Sequence, residues 1–215
     1  MRSLVAATPA AGGMAARLGA LFLALFGWRV EGALGDVKKA VAIAAPHTSN
    51  WDLPFMLAVS YVLGVKPSWL GKREMFRGPL GWLLRRLGGI PVDRGTRSNL
   101  VQQVIACFAR SERLFLVIPP SGTRSRAAYW KSGFYHIARG ADVPLICTFL
   151  DYRRKVGGLG PVVLTTGDIG RDMDTLRDFY AGVTAKYPDR STPARLREED
   201  EPDSKGLRFA TSAPS

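Results

Sequence analysis

Apolar positions along the chain come in short blocks, and their spacing switches between helical and extended periods. The first block, 14–30, is apolar between Arg17 and Arg29, with an unbroken run of 11 residues from Leu18 to Trp28. A spanning helix needs about 20. The run has the length of a signal-peptide core, but Trp28-Arg29-Val30-Glu31 follows in place of a small-residue cleavage site. It predicts a helix in or against a membrane surface, with Arg17, Arg29 and Trp28 at the interface. An ordinary buried helix is the alternative.

Short apolar runs and helical stretches then alternate. Val41–Ala45 reads as a strand, and a polar loop begins at Pro46. Leu53–Leu63 reads as a helix and Ser68–Leu70 as a short strand. Leu80, Leu83, Leu84 and Leu87 mark a helical face, and Asn99–Ala109 a further helix. Leu114–Ile118 is a buried strand ended by Pro119-Pro120. Lys131–Ala138 reads as a helix, and Val143–Leu150 and Val162–Thr165 as strands. Asp172–Tyr187 reads as a helix with acidic residues in its first turn. This alternation predicts an α/β sheet. From Asp189 the chain turns polar, with Glu198-Glu199-Asp200-Glu201, and a disordered tail is expected over 189–215. The expected organisation is thus an N-terminal segment over 1–30, a folded domain over 31–188 and the tail. No internal repeat is apparent.

Composition adds that this is a globular chain with room for a core: 215 residues, 47% hydrophobic and 22% charged. Disordered, collagen-like and disulfide-scaffold classes are excluded. The net charge of +12 is uneven, with 19 basic and 6 acidic residues through Gly140 and 11 basic and 12 acidic from Ala141. Of the 30 bases 22 are Arg, whose planar fork suits phosphate and carboxylate. An anionic partner is indicated, either a phosphorylated ligand, a lipid surface or nucleic acid; charge for solubility alone is the plain alternative. No RNA-binding aromatic signature, zinc finger or evident reading helix favours nucleic acid. Cys107 and Cys147 both lie in apolar runs and read as core thiols in a reducing compartment.

Two segments carry candidate chemistry. His47 and Asp52 stand in PHTSNWD, just past a predicted strand. Inside one helix, a five-residue step would put them roughly 140° apart. With His47 in the loop and Asp52 opening the helix, the turn can fold one onto the other, and Ser49 or Asn50 can cap the helix. A carboxylate beside an imidazole fixes its tautomer and stabilises the imidazolium, which makes His47 a candidate general base. The second segment, Ile118 to Arg126, follows a buried strand. Gly122 permits the turn, while Thr123, Arg124, Ser125 and Arg126 supply donors, as in a phosphate-binding loop; a solvated polar turn is the alternative. It is neither a Walker loop nor a nucleophile elbow. Between the two segments, from Lys66 to Arg97, Leu80, Trp82, Leu83 and Leu84 are interleaved with basic residues. That pattern suits an anionic membrane, or a core helix with a charged outer face. His136 reads as an ordinary helix histidine, and Trp130 and Lys131 are candidate borders of an acceptor pocket.

Taken in order, HTSNWD, GKREMF, GGIPVDR, PSGTRS and Val143-Pro144-Leu145 resemble the motif blocks of the glycerolipid acyltransferases, whose best-known members are the lysophosphatidate (1-acylglycerol-3-phosphate) acyltransferases. The resemblance runs from about Trp28 to Tyr187. It implies an α/β fold, a mixed sheet flanked by helices, and a catalytic pair of His47 as base and Asp52 as its orienting acid. It implies acyl transfer from acyl-CoA or acyl carrier protein to the hydroxyl of a lysophospholipid, with that thioester as co-substrate and no other cofactor or metal. Arg124 would hold the acceptor phosphate with Gly122, Thr123 and Ser125, and Lys72 and Arg94 are weaker candidates. The implied partners are membrane lipids and the thioester donor, not nucleic acid, at the cytoplasmic face of a membrane as a peripheral or monotopic protein. One position departs: Ser121 stands where the family has Glu. A weakened or non-catalytic lipid-binding protein of the same fold is therefore the alternative.

Overall fold

A computed structural model of the chain describes residues 13–93 and 97–200. Its centre is strand β2 (Lys39–Ala44), in which Ala40, Val41, Ala42 and Ile43 are wholly buried. A strand apolar on both faces has to lie inside a sheet covered on both sides. It pairs in parallel with β5 (Leu114–Ile118) on one side and β6 (Leu145–Asp151) on the other. The sheet extends through β3 (Pro67–Lys72) and β4 (Gly89–Val92) beyond β5, and through β7 (Val156–Val163) and β1 (Arg29–Glu31) beyond β6. Every pairing is parallel except the β6–β7 hairpin. The seven-stranded mixed sheet agrees with the expected α/β class.

The two-residue period of the strands divides the core. Val41, Ile43, Leu114, Leu116, Leu145 and Cys147 face one way. They pack under α4 (Arg97–Arg110), α5 (Gly133–Gly140) and α6 (Ile169–Ala181), through Phe108, Phe134 and Leu176 among others. Ala40, Ala42, Phe115, Val117 and Ile146 face the other way, toward Met56 and Leu63 at α2 (Asp52–Val62). Over α2 lies α1 (Met14–Leu25), and the two helices approach closely at Gly19, where a Cβ would stand 2.9 Å from the Ala58 carbonyl oxygen. A short helix, α3 (Gly78–Arg86), joins β3 to β4 after a single 3₁₀ turn.

Several boundaries differ from those expected. The N-terminal apolar helix stops at Leu25, and Trp28 is not at an interface but buried, its ring stacked 4.4 Å from that of Phe55. Arg29 belongs to β1. Met14, Leu18, Leu21 and Leu25 nonetheless form an exposed apolar stripe along α1, at helical spacing. Among the described residues, no helix is long and apolar enough to cross a membrane. The expected tail starts too early: Leu196 is wholly buried and bridges to Trp130, and the Trp130 indole donates to the Thr192 carbonyl, so the chain is packed through Asp200. Residues 201–215 lie outside the described residues.

Candidate active site

The loop leaving the carboxyl end of β2 runs over a cis Ala45–Pro46 bond to His47, and α2 opens at Asp52. The turn between them wraps the Asp52 carboxylate. Oδ2 lies 2.9 Å from His47 Nδ1 and accepts the backbone N–H groups of Thr48 at 2.9 Å and Ser49 at 3.0 Å. Oδ1 accepts the Tyr152 hydroxyl at 2.7 Å. Neither Ser49 nor Asn50 serves as the expected cap of α2; the Ser49 hydroxyl accepts the Trp51 N–H. The Thr48 hydroxyl oxygen accepts the Tyr187 N–H, pinning this turn to the segment after α6.

Burial by itself would raise the Asp52 carboxyl. Hydrogen bonds from His47, from Tyr152 and from the Ser49 and Thr48 amides outweigh it, and the group is held below the usual carboxylate value. An ionised carboxylate only accepts hydrogen bonds, so the proton of the shared bond sits on His47 Nδ1 and the ring's lone pair is on Nε2. That is the tautomer a general base requires. The side chain of His47 is a quarter exposed and borders a cavity, whereas that of Asp52 is 8% exposed.

The cavity has a volume of about 690 Å³ and lies between α2 and the sheet. Leu53, Met56, Leu57, Ser60 and Tyr61 line it from one stripe of α2, opposite Phe115 and Val117 of β5. Its walls are mainly aliphatic and aromatic, and its polar groups include His47, Asp52 and Arg124. Leu53 and Leu87 line it and are also more than half exposed, so the space opens to the surface. It suits a long apolar chain whose polar end meets His47.

Arg124 borders the same cavity as the His47–Asp52 pair, although it stands 72 positions beyond Asp52 in the chain. It is carried by the turn after β5. Ser121 is buried and donates its hydroxyl to the Thr123 carbonyl at 2.8 Å. Gly122 has φ +64°, so the backbone calls for glycine, and the flexible end of the Lys131 side chain lies over it, with Nζ 2.6 Å from where a Cβ would stand. Thr123 Oγ1 accepts the Ser125 N–H. Gly122, Thr123 and Ser125 thus shape the turn without lining the cavity. Lys131 lies over this turn, and Trp130 is a core residue. Lys72 is exposed at the end of β3, outside the cavity wall, and Arg94 lies outside the described residues. His136 is exposed on α5. Cys147 is buried and Cys107 half-buried. Among the described residues, no cluster of three His, Cys, Asp or Glu side chains is placed to hold a metal ion.

No local sequence pattern marks Tyr152. It follows β6, 100 residues beyond Asp52, and only the fold brings the two together.

A family model for acyltransferases matches residues 29–150. A 1-acyl-sn-glycerol-3-phosphate acyltransferase of Haemophilus influenzae is 30% identical over 147 residues, covering 62% of this chain. The match spans 58% of that relative's length. The crystal structure of the 1-acyl-sn-glycerophosphate (LPA) acyltransferase PlsC from Thermotoga maritima superposes with a TM-score of 0.53 at 16% identity, over 80% of this chain and 79% of that one. It shares the fold. The family model covers more than half of the chain and takes in β1, β2, α2, β5 and nearly all of β6, with His47, Asp52 and Arg124 among the matched residues: the chain belongs to the acyltransferase family.

Proposed function

We propose that the protein transfers a fatty acyl group from a thioester, carried on coenzyme A or acyl carrier protein, to the free hydroxyl of a lysophospholipid of the 1-acylglycerol-3-phosphate type. The observation that carries this reading is the shared cavity: a base, an arginine and a long apolar wall meet in one space. The acyl chain lies along the α2 stripe with its carbonyl carbon near His47. Arg124 pairs with the acceptor phosphate and holds the hydroxyl close, which removes part of the entropic barrier. His47 Nε2 takes the hydroxyl proton as oxygen attacks the thioester carbon. The carbon–sulfur bond then breaks, and the imidazolium returns its proton to the departing thiolate. Asp52 stays ionised and stabilises the imidazolium between these steps. Attack is direct, with no acyl-enzyme.

Seating at the cytoplasmic face of a membrane belongs to the same reading. The exposed stripe of α1 is matched by Leu80, Leu83, Leu87 and Trp82 on and beside α3, where Arg86 lies over the Trp82 ring. Apolar side chains beside guanidinium groups suit an anionic headgroup layer. Leu87 belongs to both this surface and the cavity wall, which gives a lipid tail a dry route inward.

Ser121, where the family has Glu, supports a second reading: the same fold binding anionic lipid without turnover. A screen of lysolipid acceptors with acyl-CoA and acyl carrier protein donors, read by lipid mass spectrometry, separates the two. A new diacyl product with stoichiometric thiol release supports the transferase. Vesicle binding with no product from any acceptor supports the second reading.

A further inference from the structure

Asp52 is held from two sides, and only one of them lies in the histidine-aspartate motif. The geometry points to Tyr152 as a positioning residue: it is the third member of a His47–Asp52–Tyr152 hydrogen-bonded chain, and its hydroxyl fixes the carboxylate that orients the base. The inference deepens the acyl-transfer reading and rests on it for the rate effect.

The carboxylate has two oxygens, and each has its own duty. Oδ2 takes His47 Nδ1 and the two backbone amides. Oδ1 takes the Tyr152 hydroxyl at 2.7 Å. A carboxylate held at one oxygen can still swing about its last bond, and holding the second removes that freedom. The tyrosine ring is itself fixed. It meets the Trp28 ring edge-on at 5.0 Å and the Phe55 ring at 6.1 Å, and its backbone N–H donates to the Thr184 carbonyl. Three elements therefore converge on one carboxylate: α2 carries it, the β2–α2 loop brings His47, and the end of β6 brings the phenol.

The hydroxyl is suited to donating rather than ionising. Burial, and then the Asp52 carboxylate, push the phenol well above its ordinary value, so it keeps its proton throughout the working range. The charged and titratable groups about this chain are His47, the Tyr187 phenol, and the Lys186 ammonium, which lies 5.5 Å from the centre of the Tyr152 ring and 5.4 Å from that of Trp51. Arg124 lines the same cavity as His47 and Asp52.

Tyr152→Phe keeps the ring against Trp28 and Phe55 and deletes only the hydroxyl. Its thermal melt should fall by only a few degrees, as expected for one lost hydrogen bond with the packing kept. With acyl-CoA and a lysophosphatidate, kcat should fall about tenfold, as expected for losing one charge-assisted hydrogen bond, while KM for both substrates stays within about twofold. Independently of turnover, the Asp52 carboxyl followed by ¹³C NMR in aspartate-labelled protein, and identified by its loss in Asp52→Asn, should titrate at higher pH in Tyr152→Phe. Tyr152→Leu should lose more activity than Phe and also melt lower, which separates the ring's packing from the hydroxyl. A Phe variant with native kcat and an unmoved Asp52 titration overturns the inference. If the native protein transfers no acyl group but the Asp52 titration still moves, the hydrogen-bonded chain stands and the acyl-transfer reading fails.

Discussion

His47 and Asp52 are five residues apart in sequence and 2.9 Å apart in space because the intervening turn closes around the carboxylate. The amides of Thr48 and Ser49 point inward to the same oxygen that meets the imidazole. Within a single helix the two side chains would diverge. Here the loop ends and α2 begins at the aspartate itself, and the charge also sits at the positive end of that helix.

Asp52→Asn should therefore lower kcat by roughly 10³-fold or more, because an amide no longer enforces the proton on Nδ1 or stabilises the imidazolium. Its effect on stability should depend on pH. The folded-state carboxyl is held below its ordinary value of 3.8, so its contribution is fully present above that value and is lost as pH falls through the lower folded value. Urea unfolding at pH 7 and pH 3 should show the native protein losing more stability over this drop than Asp52→Asn. Equal losses would mean that the carboxylate is not held in the folded state.

Ser121 closes its turn by donating to the Thr123 carbonyl from a buried position. An ionised glutamate cannot donate, and its longer side chain has to leave this pocket. Ser121→Glu should lower kcat/KM for the phosphorylated acceptor several-fold, by disturbing the turn that carries Arg124. A large gain in turnover would instead identify Ser121 as a defect in the site.

Ser60 lies on the cavity-lining stripe, eight residues and about 12 Å along α2 from Asp52. Ser60→Phe should block the far part of the cavity while leaving the His47 end intact. Turnover should then favour shorter acyl donors, measured as the ratio of kcat/KM for a short-chain to a long-chain thioester. An unchanged ratio would show that the acyl chain lies elsewhere.

The exposed residues Leu83 and Trp82 on α3 should carry much of the binding to bilayers. A Trp82→Glu, Leu83→Glu double variant should sediment less with vesicles containing anionic phospholipid, while its melting temperature stays near native. Full binding by the double variant would move the membrane contact away from α3.

Much of this fold was legible in the chain because its central strands are apolar on both faces. Val41–Ala45, Leu114–Ile118 and Val143–Leu150 stand within a residue or two of β2, β5 and β6. The His47–Asp52 pair was legible because its spacing makes sense only across a loop-to-helix junction. Elements made by long-range docking were not. The three-residue β1 exists through its pairing with β7, and Arg29 alone gives no hint of that. Leu196 sits in a charged stretch that reads as solvated, yet it is buried beside Trp130. Tyr152 follows a strand with no local mark of function, because its role depends on a partner in another element.

The most direct test of acyl transfer by a histidine base is thiol release from acyl-CoA by His47→Ala, with a lysophosphatidate as acceptor. Loss of the base should cut the rate at least 10²-fold, with a native-like circular dichroism spectrum and melt. Native turnover in the folded variant would contradict the mechanism.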